Sequence, residues 1–369
     1  MTTVSDLCLA MESIAPRHLA ADWDNTGLLL GCPDAAVSRV LVCIDLTEPV
    51  IAEAIEAGVD AIVAYHPAIF EPIQRVTTRD AHGRVVLAAA AAGIAVYSPH
   101  SALDAAPGGM GDWLALAIGP GTLGPLEHAV ANRPTETHKV VTYVPKDHLD
   151  AVRSAMAGAG AGRVGAYGEC STAISSAGTF RGDAGSSPAI GAAGRLETVD
   201  ECRLMMVCGD GDLPAVTAAL ESAHPYEEPP IHIVPLRPRP MSGAGIGRVL
   251  HLDEPRSLTS IIESVKSRLG VSGLRLAGPD GDVAVAACCP GAGGSLLAAA
   301  EAAGATLYLT GEMRHHDVLA AAARGTRILL AGHTHTERGY MPLLRDRLRT
   351  DLPVEVLVSQ RDTCPWRAV

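Results

Sequence analysis

Residues 52–67 read AEAIEAGVDAIVAYHP, and their order points to the fold. An Ala-rich helical stretch runs to Gly58. A short β-branched run follows, and polar residues close the unit. The same grammar returns at 88–104 (AAAAAGIAVYSPHSALD), 298–312 (AAAEAAGATLYLTGE) and 320–337 (AAAARGTRILLAGHTHTE). Gly58, Gly93, Gly304 and Gly325 stand where a helix C-cap needs positive φ. The runs IVAY, IAVY, LYL and ILLA suit strands buried on both faces. Helix–strand alternation predicts a largely parallel or mixed α/β sheet. Two copies lie in the first third and two in the last, so the reading is two related α/β halves facing each other across a pseudo-dyad.

Between the halves the character changes. Residues 119–136 (GPGTLGPLEHAVANRPTE) read as a linker, and 236–245 (LRPRPMSGAG) as the return linker. HKVVTYVPK at 138–146, ECRLMMVC and IHIVPL read as strands. Helices follow from DHLDAVRSAMAGAGAG and from Leu213–Ala223, and residues 163–190 are rich in Gly and Ser. This β-α-β-β-α-β-like order predicts a small ferredoxin-like α+β domain inserted into the chain. The expected organisation is a first α/β half at 1–130, the insert at 137–237, and the second half at 243–369.

Composition narrows the function classes. The 369 residues are 48% hydrophobic and 19% charged, a globular balance. Lys plus Arg is 29 and Asp plus Glu 41, a formal net charge of −12. An acidic chain repels phosphate backbones, and two Phe, three Trp and seven Tyr are few for base stacking. General nucleic-acid binding is therefore not expected. No apolar run reaches the roughly 18 residues of a membrane helix. The opening MTTVSDLCLAMESIAP carries Asp6 and Glu12 without a basic leader and reads as a first helix, not a signal peptide. Nine scattered cysteines without C-x-x-C fit a reducing, cytoplasmic setting.

Ligands of open α/β folds gather at the carboxyl ends of strands. All four repeated segments place ionisable residues there: Tyr65 and His66; His100 and Asp104; Glu312, His315 and His316; His333, His335 and Glu337. Imidazole and carboxylate are ligands for zinc, iron, manganese or cobalt. His333 and Glu337 are spaced i, i+4 and reach one ion if TERGYMPLL opens a helix. Asp104 and Glu337 are the carboxylates available to bridge two ions. Each residue also has an ordinary structural role: Glu312 at the start of a helix, Asp104 capping a turn. The sequence contains no Walker A motif, no G-x-G-x-x-G after a strand and no G-x-S-x-G elbow.

The set ADWDNTGLLLG (21–31), YHPAIF (65–70), YSPHSALDAAPGGMGDWLA (97–115), TGEMRHH (310–316) and GHTHTERG (332–339) resembles the Nif-three-like dinuclear-metal-centre family, whose members carry the name GTP cyclohydrolase 1 type 2. The middle segment, ending in AHPYEEPPIHIVPL, looks like the extra domain of the longer bacterial members, which has a fold like PII or CutA. The resemblance implies a homohexamer of two stacked trimers, with two divalent metal ions per site facing an internal cavity. It carries the metal-ligand role onto His66, Asp104, His333 and Glu337. The family's first histidine is replaced here by Tyr65, which puts one metal position in doubt.

Two functions compete at this stage. One is a metal-dependent hydrolase that opens the imidazole ring of a purine nucleotide with activated water, with His335 or His315 shuttling protons. A phosphoesterase is a variant with the same metals. The other is a non-catalytic metal-binding scaffold or regulator whose inserted domain senses a ligand.

Overall fold

A computed structural model describes residues 1–367. The chain divides into two compact units. One comprises Met1–Ala129 with the described chain from Met241 onward, and the other Val130–Pro240. Fifteen strands follow in chain order among the described residues. The first unit opens with β1 (Gly27–Leu30), β2 (Arg39–Cys43), β3 (Ala61–Ala64), β4 (Ala95–Ser98) and β5 (Gly121–Ala131). The inserted unit holds β6 (His138–Pro145), β7 (Ser171–Phe180), β8 (Glu197–Cys208) and β9 (Ile231–Pro235). The chain returns through β10 (Arg239–Ser257) to β11 (Arg275–Ala277), β12 (Asp282–Cys289), β13 (Leu307–Thr310), β14 (Arg327–Leu330) and β15 (Glu355–Val358).

The two α/β halves are visible in the sheets. One runs β1-β4-β3-β2-β15 and the other β11-β14-β13-β12-β10-β5. In each, three parallel strands are flanked by an antiparallel edge strand: β1 on β4, and β11 on β14. The opposite edges differ. The C-terminal β15 joins β2 in parallel, whereas β10 lies antiparallel to β12. Strands β3, β4, β13 and β14 are buried along their whole length. They show no polar alternation because helices or the other half cover both faces.

The helices preceding these strands end as the grammar predicts, with Gly58, Gly93, Gly304 and Gly325 at φ of 61°, 69°, 80° and 90°. Only glycine reaches that region without steric cost, so each stops a helix one turn before its strand. The first helix, Val4–Ile14, is set by a capping box between Thr3 and Asp6. It buries Val4, Leu7, Met11 and Ile14 in the main core.

Both expected linkers prove to be strands. Residues 121–131 form β5, and β10 starts at Arg239 and continues the second sheet. Gly and Pro misled because this edge tolerates them. Gly245, at φ 147°, lies so close to Glu127 that a Cβ there would strike its carbonyl oxygen. The inserted unit is antiparallel, in the order β7-β8-β6-β9. Helices Leu149–Gly158 and Leu213–Ala223 share a core with Val140, Val144, Leu204 and Met206. That is the strand order of a ferredoxin-like domain. The Gly/Ser-rich stretch also holds β7, a strand whose backbone ladder with β8 spans Ser171 to Phe180.

Candidate metal centre

The site lies in the first unit, beyond the carboxyl ends of its parallel strands. His66 stands two residues past β3. The ladder continues beyond the strand proper, with Tyr65 N–H donating to the Cys43 carbonyl (2.9 Å) and His66 N–H to the Ile44 carbonyl (3.0 Å). Pro67 disfavours helical geometry at His66, which keeps it extended. The corresponding position past β13 in the other half is Glu312. Past the third strands come His100 with Asp104, and His333 with Glu337, both spaced i, i+4. The expected α-helix after His333 is instead a short 3-10 turn, Thr334–Thr336. A second 3-10 turn then leads into the helix Met341–Asp351. The turn still presents His333 and Glu337 to the same point.

That point is the Glu337 carboxylate, only 2% exposed. His333 Nε2 lies 3.2 Å from one oxygen and His66 Nε2 3.7 Å from the other. Donor atoms of His66, His333 and Glu337 all fall within 4.8 Å of one another. Each imidazole is oriented by a carboxylate on its far side: His66 Nδ1 by Asp45 at 2.8 Å and His333 Nδ1 by Glu312 at 2.8 Å. Asp45 is in turn 3.5 Å from Arg338. A carboxylate behind the histidine, with Nε2 turned inward, is how metal-binding imidazoles are fixed in tautomer and direction.

Three observations fit a cation at this place. The Glu337 Oε2 atom is buried and has no hydrogen-bond partner. Such an oxygen costs about 1–3 kcal/mol unless something occupies its lone pairs. Gly291, at φ 61°, opens space directly against the donors. A Cβ there would lie 2.7 Å from Glu337 Oε1 and 3.0 Å from His333 Nε2. The donor set, two imidazoles and a carboxylate with room for a further ligand, is that of a catalytic rather than a closed structural metal site.

The electrostatics reflect the same concentration of acid. Burial works against a charge on His66, but the hydrogen bond to Asp45 and the neighbouring Glu337 carboxylate outweigh it and raise its pKa to about 10. Glu337 similarly raises His333 to about 9. Burial pushes Glu337 upward, yet the nearby His333 and His66 imidazoles hold it below the usual carboxylate range.

Asp104 does not enter the three-donor group. Its Oδ1 accepts a 2.7 Å hydrogen bond from the Tyr65 hydroxyl, and Tyr65 is 2% exposed. Desolvation lifts Asp104 to about 6, opposed by the Tyr65 hydrogen bond and the His100 charge. Burial and Asp104 drive the Tyr65 phenol well above its ordinary value, so it stays a neutral donor. The His100 ring meets Tyr65 and His66 edge to face at 5.4 and 5.5 Å, and Tyr65 lies tilted against His66 at 4.9 Å. His100 carries the unusual φ of 26°, and Asp24 fixes its Nδ1 at 2.7 Å. A non-glycine residue held there records strain that its surroundings over-determine.

His335 and His315 fall outside the three-donor group. His335 Nδ1 faces the Ala331 carbonyl at 3.1 Å. His315 begins the helix His315–Ala323 and lines a separate cleft with Arg275 and Met313. Sequence reasoning missed Asp45 and Gly291. Asp45 follows β2, whose VLVCID run has the same strand-then-acid form as the four recognised segments but no Ala-rich helix before it.

The fold defines a two-half α/β protein with a ferredoxin-like insert and a candidate metal centre, and the chain belongs to the DUF34/NIF3 (NGG1p interacting factor 3) family, whose sequence model matches residues 2–365. It is 33% identical over 375 residues to a GTP cyclohydrolase 1 type 2 homolog of Mycobacterium tuberculosis, covering 98% of this chain and 96% of that one. It is 34% identical over 377 residues to human NIF3-like protein 1, covering 98% and 92%. A Bacillus cereus protein related to NIF3 superposes over 100% of this chain and 99% of its own, with TM-score 0.66 and 32% identity. Staphylococcus aureus SA1388 shares the fold at TM-score 0.77 and 24% identity, covering 100% and 99%.

Proposed function

We propose that the protein is a metal-dependent hydrolase that opens the imidazole ring of a purine nucleotide at C8 and releases formate; several relatives carry the name GTP cyclohydrolase 1 type 2 homolog. The observation that carries this reading is the buried Glu337 carboxylate, shared by two inward-facing imidazoles and left with one unpartnered oxygen. His66, His333 and Glu337 would hold the first of two divalent ions, zinc, iron, manganese or cobalt. Asp104, close enough to feel the charge of His100 and His66, would serve the second. When bound, such ions lower the pKa of water and so supply hydroxide near neutral pH.

The chain's own residues do the rest. Asp45 and Glu312 keep the Nδ1 atoms of His66 and His333 protonated, which leaves each Nε2 lone pair for the ion. Tyr65 donates to Asp104 and so competes with an ion for that carboxylate. His335 is our proton shuttle. Its Nδ1–H donates to the Ala331 carbonyl, so Nε2 is the basic nitrogen, free to accept and return a proton. His315, exposed at its helix start, is the second candidate for that role. A homohexamer of two stacked trimers and a cytoplasmic setting remain part of the proposal. All nine cysteines are free, and no helix among the described residues is long and apolar enough to cross a membrane. Sedimentation analysis tests the assembly.

The deciding experiment is turnover of GTP by metal-loaded protein and by Glu337→Gln, with formate and phosphate assayed separately. Formate release lost in the variant supports ring opening. Phosphate release alone favours the phosphoesterase. Absence of both, with metal bound, favours the non-catalytic regulator, a reading that the cavity of the inserted unit also supports.

A further inference from the structure

The inserted unit contains a cavity of about 510 Å³ that the metal chemistry does not use. Its walls come from β7, β8, the segment 186–190 and the turn 226–230. Phe180, Pro188, Ile190 and Pro230 make most of it apolar. The volume is in the range that encloses a small organic molecule. Ser187 N–H donates to Glu227 at 3.0 Å, tying the 186–190 segment to the turn across the opening.

One charged group is set into this apolar wall. Glu201, on β8, is only 9% exposed. Its Oε1 accepts a 2.7 Å hydrogen bond from the Tyr226 hydroxyl. No protein group donates to its Oε2, which lies against Gly178, where any Cβ would collide with it. That oxygen stays open to the solvent of the cavity, so a cation entering there meets an accessible carboxylate oxygen set in an apolar wall. No lysine or arginine lines the cavity, while Glu227 and Glu228 add negative charge at the turn.

We propose that this cavity is a binding site for a small organic cation, a protonated amine on an apolar body, whose ammonium pairs with Glu201 Oε2 while its body packs against Phe180, Pro188 and Ile190. The site selects against anions by charge. It prefers an ammonium to a neutral isostere because a charged donor makes a stronger, charge-assisted hydrogen bond to the carboxylate than a hydroxyl does. It stands independently of the hydrolase reading, since every group it uses lies in residues 130–240.

Calorimetric titration of the full-length protein with 2-phenylethylamine, 2-phenylethanol and 3-phenylpropionate tests the proposal. The amine is expected to bind once per chain and at least tenfold more tightly than the alcohol, and the carboxylate not at all. Glu201→Gln keeps the shape and the Tyr226 hydrogen bond, and should bring the amine down to the affinity of the alcohol. Ala189→Trp, at an exposed position on the cavity lip, should weaken amine and alcohol together and serves if the glutamine variant does not fold. No amine binding, equal binding of amine and alcohol, or amine affinity unchanged in a folded variant would each overturn the proposal.

Discussion

Tyr65→His probes the one position where the centre is blocked by a phenol. In the native protein the Tyr65 hydroxyl occupies Asp104 at 2.7 Å. In the proposed centre three good donors would serve one ion, and the carboxylate of the second position is already engaged. The substitution frees Asp104 and places an imidazole among His66, His100 and Asp104. Structural zinc sites with four ligands are worth about 10–16 kcal/mol, so one ligand's share is roughly 3–4 kcal/mol. At about 1.4 kcal/mol per decade, the second ion should bind roughly 100- to 1000-fold more tightly. The same change removes a hydrogen bond to a carboxylate, costing about 1.5–3 kcal/mol in metal-free protein. It also trims a phenol that is 2% exposed, so the chelated variant should melt several degrees lower and recover when metal is added. Calorimetric titration with Zn²⁺ or Mn²⁺, with elemental analysis of ions per chain, reads both effects. Native protein should show one tight and one weak ion. Two equally tight ions, unchanged in Tyr65→His, would refute the reasoning, because some other side chain would then already fill the gap.

Three further outcomes follow from the geometry. His66 and His333 hold protons to about pH 10 and 9 when folded, against about 6.5 unfolded. Their pairing therefore stabilises metal-free protein fully below about pH 6.5 and is lost as pH rises through 9 to 10. Thermal scans of chelated protein across pH 6 to 10.5 should fall at the alkaline end, and a flat profile would contradict the assignment. Joining Ala129 directly to Met241 removes the insert but none of the donors, so the shortened chain should take up metal with native affinity. A soluble product that binds none would show that the insert shapes the centre. Arg248, 1% exposed, donates to the carbonyls of Gly245, Gly247, Ala105 and Ala106 and pairs with Asp112. Arg248→Met leaves those acceptors and Asp112 without their donor and should cost about 3–5 kcal/mol in denaturant unfolding. A loss below 1 kcal/mol would mean that water replaces the guanidinium.

Local signals determined much of this protein before any coordinate. Gly-terminated Ala-rich helices followed by wholly apolar strands can fold only as buried parallel α/β units, because both signals are properties of a few consecutive residues. The same locality exposed His66, His333 and Glu337 as candidates at strand ends. It failed at 119–136 and 236–245, where Gly and Pro signalled linkers but the backbone pairs as β5 and β10. Strand pairing across more than a hundred residues of insert is not written in either segment alone. The convergence of the site was likewise decided by tertiary structure. His66 belongs to the first half and His333 with Glu337 to the second, and only the packing of the two sheets brings their donor atoms within 4.8 Å. Asp45 and Gly291 carry no local mark of their roles. One gains its function from the imidazole it faces, the other from the space it leaves empty. Tyr65 was visible as a departure from the family's histidine, but its grip on Asp104 depends on a 2.7 Å approach between residues 39 apart in the chain, a distance set by how β3 and β4 lie side by side.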